Sequence, residues 1–475
     1  MLGQQNRWQG TLFVAGTLED LIPDDHILKR VDKILDLSWL RDEVREYYSD
    51  SMGRPGIDPE AAVRLMLAGF FHGIVHDRKL MREAQVNLAI RWFSGYRLDE
   101  ALPDHSSLTR IRQRWGAERF CRIFEKTVHS CIHAGLVSGE TVHVDATLIR
   151  ADVSWESVTA EHAEKVLEEN NPEEQDSDDA PRGRGRPRTR PRFPKKHSRT
   201  DPDATMATSR KDQRLEPSYK QHTAVDDRAG VIVDVGLTTG EVNEGTQLLE
   251  SIERVESVTG NPVDRITADG GYAHGSNYAA LEMRGTDAII PPSQERRSSK
   301  KIPLRRFRYD GKHQFVTCPA GKRMKRSSRA KQGWIYRART HDCRACHLAK
   351  RCVSPSSKVR TVLIVDGYEA LLRARRRRLR WDEENGWYSR HRWQVEGIHG
   401  EAKTQHGLRR AIRRGLANVA IQVYLTAAVI NLKRLAAAFL HLSAWWGDCL
   451  FPADRRPEPI CKRLWGADLG PATGI

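Results

Sequence analysis

The chain has 475 residues, a formal net charge of +16, and 39% hydrophobic but only 7% aromatic residues. The basic residues cluster, so the excess favours a polyanionic partner over simple colloidal solubility. The low aromatic content excludes a single-strand binder that works mainly by base stacking.

The first residues, MLGQQNRWQGTLFVAG, lack the apolar core of a signal peptide. Residues 1–135 then read as helical. Asp58-Pro59-Glu60 starts a helix, with Asp as N-cap, Pro at the first helical position and an acid in the first turn. Val63, Met66, Leu67, Phe70, Phe71 and Ile74 follow at helical spacing. A second helix is expected over Arg78–Phe93, broken by Gly95. A third begins after Pro103-Asp104 with Ser106 or Ser107 as cap, and carries Arg110, Arg112 and Arg114. This domain is either a helix-turn-helix type reader of DNA, using those three arginines, or a packing and dimerisation module.

At residue 141 the period changes. Strands are expected over Thr141–Ile149, Tyr219–Val225 and Gly230–Thr238, with Asp226-Asp-Arg-Ala-Gly230 as a hairpin turn. A helix over Gln247–Val258, a strand over Val263–Ala268, a helix over His274–Arg284 and a strand over Asp287–Ile290 complete the pattern. Three strands, a helix, then strand–helix–strand is the order of a ribonuclease-H-like core, an α/β fold with a mixed sheet. The expected organisation is therefore a helical DNA-binding or assembly domain over 1–135. The core comprises 136–156, 216–291 and 386–440. Two insertions interrupt it, one over 157–215 and one over 292–385, and 441–475 is a tail. The first insertion pairs an acidic patch, Glu173–Asp179, with nine Lys and Arg in Arg182–Arg199, a composition expected to be disordered. Within it Arg184 and Arg186 belong to Arg-Gly-Arg-Pro, which reads either as an AT-hook core for the A·T minor groove or as a basic linker. The second insertion is basic and Cys-rich. Beyond it, the apolar run Val419–Ile430 is too short to span a bilayer, and an intracellular protein is expected.

Three carboxylates carry the chemistry. Asp145 ends the apolar run Thr141–Asp145, and Asp269 ends Val263–Asp269 just before Gly270-Gly271-Tyr272. Glu396 lies on a helix with Lys403 on the same face, flanked by Arg392 and His399. Carboxylates at two strand ends and on a later helix can hold two Mg²⁺ (or Mn²⁺) for phosphoryl transfer. Arg409, Arg410, Arg413 and Arg414 could contact phosphates beside them, or form a solvated face. Cys318, Cys343, Cys346 and Cys352, with His347 to spare, suit one structural Zn²⁺ in an insertion that otherwise has little core. Four free thiols are the alternative.

The carboxylate motifs resemble those of DDE transposases from bacterial insertion sequences. That family writes its glutamate motif Tyr-x2-Arg-x3-Glu-x6-Lys. Arg392, Glu396 and Lys403 fit it, and three residues rather than two separate Tyr388 from Arg392. Asp269-Gly-Gly-Tyr272 and Asp145-Ala-Thr-Leu-Ile resemble the two Asp motifs. Ile57–Glu60, Arg91–Phe93 and Pro103–Ser107 resemble the family's N-terminal domain. Gly407–Arg410 and Asn431–Arg434 resemble its C-terminal segment, and a subgroup shows a similar Cys-bearing insertion. The resemblance implies a nucleoid-associated bacterial enzyme that forms a homodimer or higher multimer. It would cut double-stranded DNA at terminal inverted repeats and join the ends to target DNA. A related nuclease, or a non-catalytic DNA-binding derivative, are the alternatives.

Overall fold

The computed structural model describes residues 16–49, 56–154, 158–159, 197–208, 215–292, 301–354 and 357–450, with side chains to 439. Six helices open it: α1 (Ile27–Asp32), α2 (Leu40–Val44), α3 (Pro59–Phe71), α4 (Asp77–Val86), α5 (Leu88–Phe93) and α6 (His105–His133). Asp58 caps α3 as expected, accepting from the N–H groups of Glu60 and Ala61. The single helix expected over Arg78–Phe93 is two. Asn87 takes an extended conformation and caps α5 through the Ile90 N–H at 3.1 Å, which is the local bonding that makes Asn a poor interior helix residue. The cap of α6 is Asp104, not Ser106 or Ser107. Its carboxylate accepts from the Ser106 N–H at 2.8 Å, and α6 kinks at Gly116.

The core strands are β1 (Thr141–Arg150), then, beyond short β2 (Val158–Thr159), β3 (His197–Ser198) and β4 (Thr205–Ala207), β5 (Glu216–Asp226) and β6 (Ile232–Thr239). After them come α7 (Leu248–Thr259), β7 (Arg265–Ala268), α8 (Gly275–Arg284) and β8 (Asp287–Ile289). The core order is β6-β5-β1-β7-β8, antiparallel among β6, β5 and β1 and parallel among β1, β7 and β8. Read as strands one to five, that is 3-2-1-4-5, the ribonuclease-H-like arrangement. The disorder expected for the first insertion falls mostly on 160–196, which lie outside the described residues, as do Arg184 and Arg186. Its last part is ordered: β4 extends the sheet along β5, and Asp201 accepts from the buried Tyr219 hydroxyl at 2.5 Å.

The second insertion departs from expectation. It builds a five-stranded antiparallel sheet in the order β13-β12-β11-β10-β9, from β9 (Arg308–Asp310), β10 (Phe315–Thr317), β11 (Arg323–Ala330), β12 (Gly333–Arg337) and β13 (Thr361–Val365). Short helices α9 (Thr340–Arg344) and α10 (Ala349–Cys352) lie between β12 and β13. Val316, Met324, Tyr336, Val362 and Ile364 bury one face of this sheet in the main core. Few apolar residues suffice, because alternation concentrates them on a single face. Then follow α11 (Tyr368–Arg378), α12 (Glu383–Gln405) and α13 (Leu416–Leu450).

Two hydrophobic cores share α13. Val419, Val423, Ala427 and Ile430 face the sheet, while Ile421, Leu425, Ala428 and Leu432 face the N-terminal helices. A helix buried on both sides is apolar all round. Leu416–Phe439 is therefore long and apolar enough to cross a membrane by length and composition, more than the run read from sequence, but 72% of its apolar window is buried inside the protein. Asn431 on this helix seals the edge strand β6. Its side-chain amide both accepts from and donates to the Ile232 backbone at 2.9 Å.

Candidate active site

The site starts from a strand register. Val144 on β1 pairs with Ala268 on the parallel β7, so the next residues, Asp145 and Asp269, stand side by side on strands about 4.8 Å apart. Asp269 does end its strand. It caps the short turn Gly270–Tyr272, accepting from the Gly271 N–H at 2.8 Å. Asp145 does not end its strand. It sits mid-β1 opposite Thr223, because β1 runs on past its last pairing with β7 and stays paired with β5 as far as Arg150. The carboxylate is therefore largely enclosed. Burial pushes the Asp145 carboxyl up to about 7, opposed by a hydrogen bond from the Ala146 backbone and reinforced by Asp269, Glu244 and Glu396.

Helix α12 packs across β1 and β7 and carries Glu396 over them. The Glu396 side chain is 62% exposed and lies 3.6 Å from the Arg392 guanidinium. One turn on, His399 is buried, with Nδ1 3.6 Å from the Asp145 carboxylate and Nε2 3.1 Å from the Thr223 hydroxyl. Burial, then Lys403 and His391, hold its pKa down at about 3, so it is neutral. Lys403 donates to the Thr147 hydroxyl at 2.6 Å. Burial and Arg409 lower its pKa while Asp145 opposes them. Tyr388 stacks on His391 with ring centroids 5.8 Å apart, and burial, then Asp269, raise its pKa. The structure thus gathers Asp145, Asp269, Glu396, Arg392, His399, Lys403 and Tyr388 around one sheet edge.

Glu244 was missed in the sequence. It follows β6, in the short turn Glu244–Gln247. β6 runs parallel to β1 two strands away, so its end opens on the same sheet edge, where ligands of such sheets bind. A Cβ at Gly271 would lie 2.1 Å from Glu244 Oε1, so glycine there lets the carboxylate in beside Asp269. Lys220 lies 3.7 Å away. Burial raises the Glu244 pKa, with Lys220 opposing and Asp269 adding. The available signal was an acid just past the third core strand. Tyr272 closes the floor, its hydroxyl buried without a hydrogen-bond partner among the described residues. Burial, Asp145, Glu244 and Asp269 push its pKa far up.

The expected DNA-contact arginines divide. Arg110 and Arg114 are exposed, Arg114 lying 4.9 Å over the Tyr48 ring. Arg112 is not available to a phosphate. It is 4% exposed and forks onto Asp77 at 2.8 and 2.9 Å, because α4 and α6 pack tightly there. Arg413 is committed to the same Asp77 carboxylate. Arg409 and Arg410 are exposed beside the end of β1, with Arg410 paired to Asp152 at 3.1 Å, and the exposed Arg414 donates to the Asp152 carbonyl.

The four cysteines come from separate elements. Cys318 lies in the β10–β11 turn, Cys343 in α9, Cys346 just beyond it, and Cys352 ends α10. Burial raises the Cys352 thiol, Arg360 opposes, and Cys343, Cys318 and Cys346 add to the rise, so the thiols share one neighbourhood. Among the described residues, no three or more His, Cys, Asp or Glu side chains stand at metal-binding spacing.

Residues 16–114 match the model of the transposase domain family DUF772, and residues 317–436 match that of a transposase DDE domain. No curated protein matches the chain. A cryo-EM structure of the piggyBac transposase synaptic complex with hairpin DNA is similar at 11% identity and a TM-score of 0.29, covering 93% of this chain and 81% of that one. One transposase-domain match thus lies at the N-terminal helices and another runs from the insertion sheet through the glutamate helix, and together they support a DDE transposase of the insertion-sequence type.

Proposed function

We propose that this transposase binds the terminal repeats of its element, cleaves them by two-metal phosphoryl transfer and joins the 3′ ends to target DNA. The reading rests chiefly on the Val144–Ala268 register, which sets Asp145 beside Asp269 under the Glu396 helix. The donor set fits Mg²⁺ or Mn²⁺: oxygen carboxylates only, with Asp145 raised to about 7 by burial and its acidic neighbours, a repulsion a divalent ion relieves. Asp145, Asp269 and Glu396 would hold the ions, with Glu244 beside them. When bound, the ions would activate the attacking water or 3′-hydroxyl and steady the leaving oxygen. Glu396 would exchange Arg392 for this role, freeing the guanidinium for the scissile strand. Lys403, Arg409 and Arg410 would line the path of the phosphates. Neutral His399 would hold the Asp145 carboxylate in place, and Tyr388 would border it.

The test is incubation of the purified protein with DNA carrying its element's ends and Mg²⁺, followed by strand analysis. Asp269→Ala should abolish cleavage and leave end binding nearly intact. Cleavage at a comparable rate by Asp269→Ala would refute the assignment.

The proposal extends to one structural Zn²⁺ on Cys318, Cys343, Cys346 and Cys352. Its support is the Cys343-x2-Cys346 spacing and the shared neighbourhood of the thiols. Elemental analysis decides it: one zinc per chain that is lost in Cys343→Ser supports the site, and a metal-free folded protein refutes it. A homodimer or higher multimer on DNA, at the nucleoid, completes the reading.

A further inference from the structure

We propose that the open face of the five-stranded insertion sheet is a docking strip for the phosphate backbone of duplex DNA. The inference rests on the reading that this chain works on DNA ends. The strand register defines the strip. Val316, Met324, Tyr336 and Val362 turn into the core, so their alternating neighbours turn outward. One outward cross-strand row is Arg308, Thr317 and Arg323. The next is Asp310, Phe315, Lys325, Arg337 and Thr361. Arg308, Arg323, Lys325 and Arg337 are all exposed. Among the described residues none of the four takes part in an ion pair. The acid on this face, Asp310, is engaged by His313 at 2.9 Å. Arg323 lies 4.6 Å over the Phe315 ring, which holds its guanidinium against the sheet.

Lys325 and Arg337 stand directly opposite each other across β11 and β12. Like charges in that position destabilise a sheet. Folding alone would therefore favour almost any other pair there. A polyanion laid over the face turns the repulsion into attraction, because both cations then share neighbouring phosphates. Thr317 supplies a small hydroxyl between Arg308 and Arg323, and Thr361 one beside Arg337, which suits phosphate oxygens. The strip also has a direction. At one end of the sheet Asp366 pairs with Arg329 at 2.7 Å, and its carbonyl lies 2.3 Å from where a Cβ of Gly275 would sit. Gly275 opens α8 just beyond the Asp269–Tyr272 turn. The basic rows thus lie toward the end of the strands away from this contact, so the strip extends outward from the side of the candidate active site, where duplex continuing past the cut is placed by the proposal.

The test uses the full chain and measures binding to a duplex carrying the element end across a salt series. The Lys325→Gln, Arg337→Gln double variant should give a slope of log affinity against log salt shallower by about 1.8 than the parent, since two phosphate contacts are lost. Lys325→Glu converts the opposed like charges into a cross-strand ion pair. It should melt no lower than the parent, yet show reduced affinity and a shallower slope. If both folded variants keep the parental slope, the strip is not a DNA surface. If the double variant fails to fold, Lys325→Glu decides alone. A parent protein that binds no duplex would overturn the DNA reading itself, a result distinct from unchanged slopes.

Discussion

Arg413, in the segment beyond the glutamate helix, reaches Asp77 on the N-terminal α4 at 2.5 Å. The same carboxylate already accepts two bonds from the buried Arg112 on α6. One acid therefore ties two N-terminal helices to the C-terminal half. Asp77→Ala would leave Arg112 buried and unpaired, and should cost about 3 kcal/mol or more in urea unfolding. Arg410→Ala breaks an exposed pair and should cost under about 1 kcal/mol. Equal, small effects would show that the Asp77 cluster does not join the halves.

Glu401 should govern acid stability. Burial pushes its pKa up, but His406, Arg434 and Lys433 pull harder and hold it well below the usual carboxylate range. A depressed folded pKa means stability that is present above the unfolded value near 4.3 and lost as pH falls through the folded value. Glu401→Gln should therefore lower the melting point at pH 7. It should also flatten the loss of stability below about pH 4. An unchanged acid limb would count against the cluster. Lys433 and Arg434 thus act through the fold, anchoring α13 to the end of α12.

Glu244→Gln should raise the Mg²⁺ concentration needed for half-maximal cleavage by about tenfold or more, as changes beside metal ligands typically do. End binding without metal should not weaken. A titration of cleavage against Mg²⁺ that superposes on the parent would remove Glu244 from the site.

Gly367→Ala should uncouple the insertion sheet from the second-Asp turn. Gly367 has φ +67°, and a Cβ there would lie 2.0 Å from the Gly275 carbonyl oxygen. A side chain is both strained and sterically blocked, at about 1–3 kcal/mol for the backbone alone. Cleavage should fall although the residue carries no chemistry. Full activity with unchanged melting would mean the contact is dispensable.

Much of the fold was legible because the core obeys local rules. Asp58 before Pro59 dictates a helix start, and β-branched alternation marks β1, β5 and β6 to within a few residues. The break at Asn87 was not legible, since a side-chain cap inside an amphipathic pattern leaves the period unchanged. The insertion sheet was hidden because its longest strand, β11, is half charged with a single buried residue, and β9 and β10 are only three residues each.

By itself the sequence determined the residue types on which the proposed chemistry rests: two aspartates after apolar runs, a glutamate with Arg392 and Lys403 at fixed helical spacing, and an excess of basic charge. Chemistry that depends on kind and spacing is written in one dimension. Only the tertiary structure decided which arginines are free, since Arg112 and Arg413 carry the same charge as Arg409 but meet a buried Asp77. Only it brought Glu244 to the aspartates, because adjacency across a sheet follows from strand register and crossover, and these join residues that no local pattern relates.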